Sequence, residues 1–199
     1  MRLFVALDIE EAIRERMGGF VGELRTLAPN LRWVSPESLH ITLKFIGEQP
    51  ESKMSAIEAA LAKVSAPSMR ISFRGCGFFP APKSARVFWI GVEAGVELAQ
   101  LARLVEESLT PLGIEKEKRA FSPHLTLARG GGSSGAPGRQ QGDKPNQNFA
   151  AVQKRLAGMP TPAFGTMTVP EFFLYQSQLS SQGSRYTKIA RFPLSAQEA

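Results

Sequence analysis

The chain is poor in residues that carry many kinds of chemistry: it has one cysteine and two histidines in 199 residues. A single cysteine, Cys76, excludes an internal disulfide and suits a reducing compartment. Its apolar context, "GCGFF", marks it as a small core residue, because a nucleophilic thiolate needs a base beside it. No apolar run reaches the roughly 18 residues of a membrane helix, so no membrane span is expected. The opening "MRLFVALDIEE" ends its short apolar run in acids and lacks a small-residue cleavage site, so a cytoplasmic protein is expected. No Gly-rich loop carries the lysine that a nucleoside triphosphate requires, and "GGGSSGAPG" offers no nucleophile elbow. There is also no uninterrupted Lys/Arg block, since "EKEKR" at 115–119 mixes signs. The net charge of +6 favours an anionic partner only weakly.

What is present is enough apolar residue, 43%, for a sizeable core in one domain or two small lobes. β-Branched and aromatic content predicts strands at 2–9, in "LRWV", in "LHITLKFIG", in "MRISFRGCGFF", in "ARVFWIGV", at 122–128, and near 165–179 and 184–194. Apolar residues spaced by three and four predict helices from Glu10 to Leu27 and over 51–64 and 95–110, with a short one at 149–157. In the first of these, Ile13, Met17, Phe20, Val21, Leu24 and Leu27 share a face. Residues 130–148 are rich in Gly, Ser, Pro and Gln, and read as a long mobile loop rather than a linker, because the pieces on either side are too small to fold separately. The expectation is a single α+β domain over 1–199, built of two similar lobes.

Both histidines sit in one repeated pattern: His40-Ile41-Thr42-Leu43 returns 84 residues later as His124-Leu125-Thr126-Leu127. Along a strand, residues two apart share a face, so each imidazole stands beside a hydroxyl while Ile or Leu turns to the core. A single strand histidine is more often structural than catalytic, but the matched pair is hard to obtain by chance. Two imidazoles with ordinary pKa near 6.5 can serve as one acid and one base at neutral pH. The Thr42 and Thr126 hydroxyls can donate to phosphoryl oxygens as charge accumulates there. A zinc site fits less well, since each tetrad supplies one histidine and no carboxylate. No metal or cofactor is therefore expected. Which histidine is acid and which base does not follow from the residues.

Strict alternation places Lys44 on the face of His40 and Thr42, where it could reach substrate. It places Arg129, a candidate phosphate clamp, on the opposite face unless the strand ends or bulges. The same alternation puts Phe45, Trp33 and Trp89 in the core rather than under a nucleobase.

The paired tetrads resemble the motifs of the 2H phosphoesterase superfamily. "RLFVALDI", "LRWVSPESLHITLKFIGE", "FFPAPKSARVFWIGV", "FSPHLTLAR" and "GSRYTKIARFPL" are similar to the bacterial and archaeal RNA 2′,3′-cyclic phosphodiesterases, also called 2′-5′ RNA ligases. The likeness runs from about Arg2 to Leu194, with 130–148 as its main departure. It implies a bilobal, pseudo-symmetric fold in which two antiparallel sheets face a central groove with helices outside. It implies metal-free hydrolysis of an RNA 2′,3′-cyclic phosphate, or a related nucleotide, to a 2′-phosphomonoester. His40 would be proton donor, His124 proton acceptor, Thr42 and Thr126 the phosphoryl holders, and Tyr186 a further substrate contact. ATP-independent 2′-5′ ligation is an alternative main role, and a non-catalytic module binding RNA ends is another. A monomer is expected.

Overall fold

The computed structural model describes residues 1–130, 147–180 and 183–196. The stretch read as a mobile loop, 130–148, lies almost wholly outside the described residues. Strands run over Arg2–Asp8 (β1), Arg32–Trp33 (β2), His40–Glu48 (β3), Met69–Phe79 (β4), Val87–Ala94 (β5), His124–Arg129 (β6), Ala163–Val169 (β7), Glu171–Ser180 (β8) and Gly183–Pro193 (β9). Helices span Glu11–Leu27 (α1), Met54–Leu61 (α2), Val96–Leu109 (α3) and Ala150–Ala157 (α4). No helix among the described residues is long and apolar enough to cross a membrane.

The expected mixed architecture is present, with helices packed on one side of a curled antiparallel sheet. The two expected sheets are halves of one ladder, in the order β7-β4-β5-β6-β3-β1-β8-β9, with β2 also paired to β6. The halves meet where β3 and β6 pair, at Ile41 and Leu125. One expected strand, near 165–179, is two. Pro170 has no N–H to give a ladder, so the chain breaks there. It leaves β7 at the edge beside β4 and resumes as β8 between β1 and β9.

The buried stripe Ile13, Met17, Val21 and Leu24 of α1 packs toward β7 and α4, while α3 lies on β3 and α2. Leu27, expected on that stripe, sits at the helix end and is exposed. Leu3, Val5 and Leu7 of β1 join Ile41, Leu43, Ile90, Leu125 and Leu127 in one continuous core under the helices. The opposite face of β1 is also covered. Phe4 and Ala6 cluster there with Phe173 and Tyr175 of β8, against Tyr186 of β9. This second, aromatic face carries the candidate site.

Candidate active site

Ile41 and Leu125 are buried completely, which turns their neighbours to the other face. Antiparallel pairing of Ile41 with Leu125 brings Thr126 into register with His40, and His124 into register with Thr42. Ladder strands run roughly 4.8 Å apart, so four groups on their shared face can address one tetrahedral phosphate. The tetrads thus converge by adjacency within a single sheet.

Past the threonines, both strands break alternation in the same way. In β3 the ladder to β1 steps from Thr42–Ala6 to Lys44–Val5, leaving Leu43 extra. In β6 the ladder to β5 steps from Thr126–Trp89 to Ala128–Phe88, leaving Leu127 extra. Each is a β-bulge, and each exchanges the faces of the residues that directly follow it. Lys44 is accordingly corrected to the core side. It is 6% exposed and donates 2.6 Å bonds to Glu106 Oε1 on α3 and to the Glu115 carbonyl. Phe45 moves the other way, out of the expected core, to stand 59% exposed with its ring 6.2 Å from Phe4. Arg129 likewise joins the histidine face, where its charge acts on His40 and His124.

Each imidazole is held the same way. His40 Nδ1 donates to the Ser38 carbonyl at 2.7 Å, and His124 Nδ1 to the Ser122 carbonyl at 2.8 Å. A carbonyl only accepts, so Nδ1 carries the proton and Nε2 is the ring nitrogen left for chemistry. Sequence reasoning did not find these orienting groups, yet a signal existed. The repeat is longer than four residues, with Ser38 and Ser122 both two places before the histidine.

The surroundings of the two rings differ. His40 has Phe4 at 4.9 Å, Tyr186 edge-on at 5.1 Å and Tyr175 at 6.2 Å between ring centres. Burial pushes its pKa down to about 4, with Arg129 and His124 adding to the fall. The Ser38 bond and the Asp8 carboxylate oppose it. His124 meets Phe79 edge-on at 5.0 Å, and burial and Arg129 lower its pKa as well. Trp89, expected in the core, lies across from Thr126 and stacks on Phe79 at 5.0 Å. It fits because Gly77 opposite has no side chain: a Cβ there would stand 2.4 Å from the indole Cζ2. Trp33 is structural, its indole bonded to the Ala28 carbonyl and its ring packed on Phe88. Cys76 is half-buried, and burial raises its thiol pKa.

A cleft of about 730 Å³ opens beside His40, lined by Ser38, Tyr175, Arg185, Tyr186 and Lys188 among others. Tyr186 thus faces His40 and the cleft together. Among the described residues, no group of three His, Cys, Asp or Glu side chains is gathered as a metal site would need. The available donors are imidazole, hydroxyl and guanidinium, a set suited to moving protons around a phosphoryl group.

The family model "LigT like Phosphoesterase" matches residues 7–89 and 90–186. The chain is 38% identical to an RNA 2′,3′-cyclic phosphodiesterase of Archaeoglobus fulgidus over 192 residues, covering 96% of this chain and 99% of that one. It is 31% identical to the protein of that name from Methanothermobacter thermautotrophicus, covering 98% and 99%. E. coli LigT complexed with 3′-AMP superposes with a TM-score of 0.72 at 27% identity, covering 97% of each chain. A crystal structure of a Thermus thermophilus protein gives 0.75 at 27%, covering all of both.

Proposed function

Because the chain belongs to the LigT-like phosphoesterase family, we propose that it opens RNA 2′,3′-cyclic phosphate ends to 2′-phosphomonoesters, with His40 and His124 as the acid–base pair. One observation carries the reading. Two imidazoles on paired strands are each fixed through Nδ1, leaving both Nε2 atoms free beside Thr42, Thr126 and Arg129.

In this reading the cyclic phosphate lies against the two threonine hydroxyls, with the Arg129 guanidinium balancing its charge. Neutral His124 takes a proton from water as the water oxygen bonds to phosphorus. The P–O3′ bond breaks on the opposite side, and protonated His40 gives its proton to the departing oxygen. His40 is taken as the donor from the family resemblance; Asp8, across the β1–β3 ladder, favours its charged form but only partly offsets the burial that pushes its pKa down to about 4. Tyr186 lines the cleft next to His40 and is the proposed contact for the nucleoside. Lys44 has no part in substrate binding here. No metal enters any step.

The test is product analysis on an oligonucleotide ending in a 2′,3′-cyclic phosphate, with and without EDTA. A 2′-monoester formed at the same rate in both is the expected result. A 3′-monoester would reverse the leaving group, abolition by EDTA would replace the mechanism, and binding without turnover would leave a module that holds RNA ends.

A further inference from the structure

The two orienting carbonyls are equivalent in place but are held by different means. Ser122 is followed by Pro123, and a proline restricts the residue before it to extended backbone. The carbonyl that fixes His124 is therefore set by covalent geometry. Ser38 is followed by Leu39 and has no such restraint. It ends a short 3-10 turn, Pro36–Ser38, on the surface between α1 and β3.

That turn is tied down by Arg14, a residue of α1 that the apolar pattern of the helix gave no reason to single out. Its side chain is only 10% exposed. Nη1 donates to the Pro36 carbonyl at 2.7 Å, and Nη2 to Asp8 Oδ1 at 2.7 Å and to the Ile9 carbonyl at 2.8 Å. Nε also lies 3.4 Å from Glu11. Gly18, one turn further along α1, lies close against Pro36. Asp8 is paired in the ladder with His40 itself, and its other oxygen is held by Lys188. Burying a guanidinium is costly unless its donors are met, and its planar fork fixes the separation of the groups it joins. Here those groups are the end of β1 and the turn that presents the Ser38 carbonyl.

We propose that Arg14 is a positioning residue for His40, bridging Asp8 to the Pro36–Ser38 turn so that the Ser38 carbonyl holds the ring with Nε2 toward the phosphate. Pro123 does the same task for His124. Each ring thus has its own, separable support.

The chain has only two histidines, so ¹⁵N-labelled imidazole gives two sets of ring signals. Arg14→Met should reduce the Nδ1–H tautomer of His40 and leave the His124 signals as they are. Pro123→Ala should do the reverse. Arg14→Lys keeps the charge but lacks the fork, and should fall between wild type and Arg14→Met. On the cyclic phosphate substrate, kcat of folded Arg14→Met should drop about 10- to 100-fold, the scale of a misplaced group, with KM unchanged within about twofold. Both rings altered alike, or neither altered, overturns the proposal, as does a loss of rate that merely follows the folded fraction. If Arg14→Met does not fold, Arg14→Lys and Asp8→Asn carry the same comparison of the two rings. The kinetic half rests on the phosphodiesterase reading, whereas the tautomer half does not: inactive wild-type protein would sink that reading and leave the ring comparison to decide this one.

Discussion

Ile41 of β3 faces Leu125 of β6 at the ladder position that joins the two halves of the sheet. The site is built immediately on either side of that joint. Its spacing is therefore set by backbone pairing and by two completely buried side chains, the most rigid parts of such a fold. Among the described residues, loops supply the carbonyls that steer the rings.

His40→Ala and His124→Ala should each lose at least about 100-fold in kcat, the usual scale for a missing acid or base. Both rings lie on the half-buried inner face, so the variants should stay folded. Single-turnover hydrolysis of a 2′,3′-cyclic nucleotide measures the loss, and near-normal turnover in either variant removes the acid–base pair.

The pH dependence of kcat/KM follows from the ring environments. Productive free enzyme needs one ring neutral and the other protonated. Burial pushes His40 down to about 4 and lowers His124 below 6.5. Each protonated ring is thus lost as pH rises through its lowered pKa, and the profile should be a bell with its maximum below pH 6.5. A maximum above neutrality contradicts the environments described.

Arg129 pushes both rings down, so removing its charge should raise both. In Arg129→Gln the same bell should move to higher pH. Its height should fall about tenfold or more, because a charge-assisted contact to the phosphoryl group is gone. A bell that stays in place would mean that the guanidinium does not stand beside the histidines.

Lys44 anchors β3 to α3 and to the loop before the second tetrad through Glu106 and the Glu115 carbonyl. Glu106 also accepts from the Glu117 backbone at 2.6 Å. Lys44→Met keeps the volume and removes the charge, so unfolding stability should fall by about 2 kcal/mol with KM unchanged. Denaturant titration and steady-state kinetics together check this. A normal midpoint with weakened substrate binding would return Lys44 to the groove.

Much of this is legible in the residues. Helix periodicity locates α1 and α3 because their buried stripes are long, and the repeated His-x-Thr-Leu marks the candidate site because imidazole is so scarce in this chain. Lys44 and Phe45 depart from expectation, and Arg129 joins the histidine face, for one physical cause. Alternation is a rule for regular strands, and one extra residue, Leu43 in β3 or Leu127 in β6, reverses it without altering local composition. The break at Pro170 is written in the sequence. The joining of the halves through Ile41 and Leu125 is not, since long-range pairing leaves no trace in either strand alone. The orienting groups stay hidden because they are backbone carbonyls, which no side-chain pattern can report.

The twin bulges have one last effect. In its histidines and threonines the centre is nearly twofold, and a twofold centre would accept a phosphodiester either way round. The fifth place after each histidine ends that ambivalence, with Phe45 on one arm and Arg129 on the other. With the substrate proposed above, an aromatic surface at one end and a cation at the other would give the centre a head and a tail, and so a sense of which way a nucleic acid strand is running.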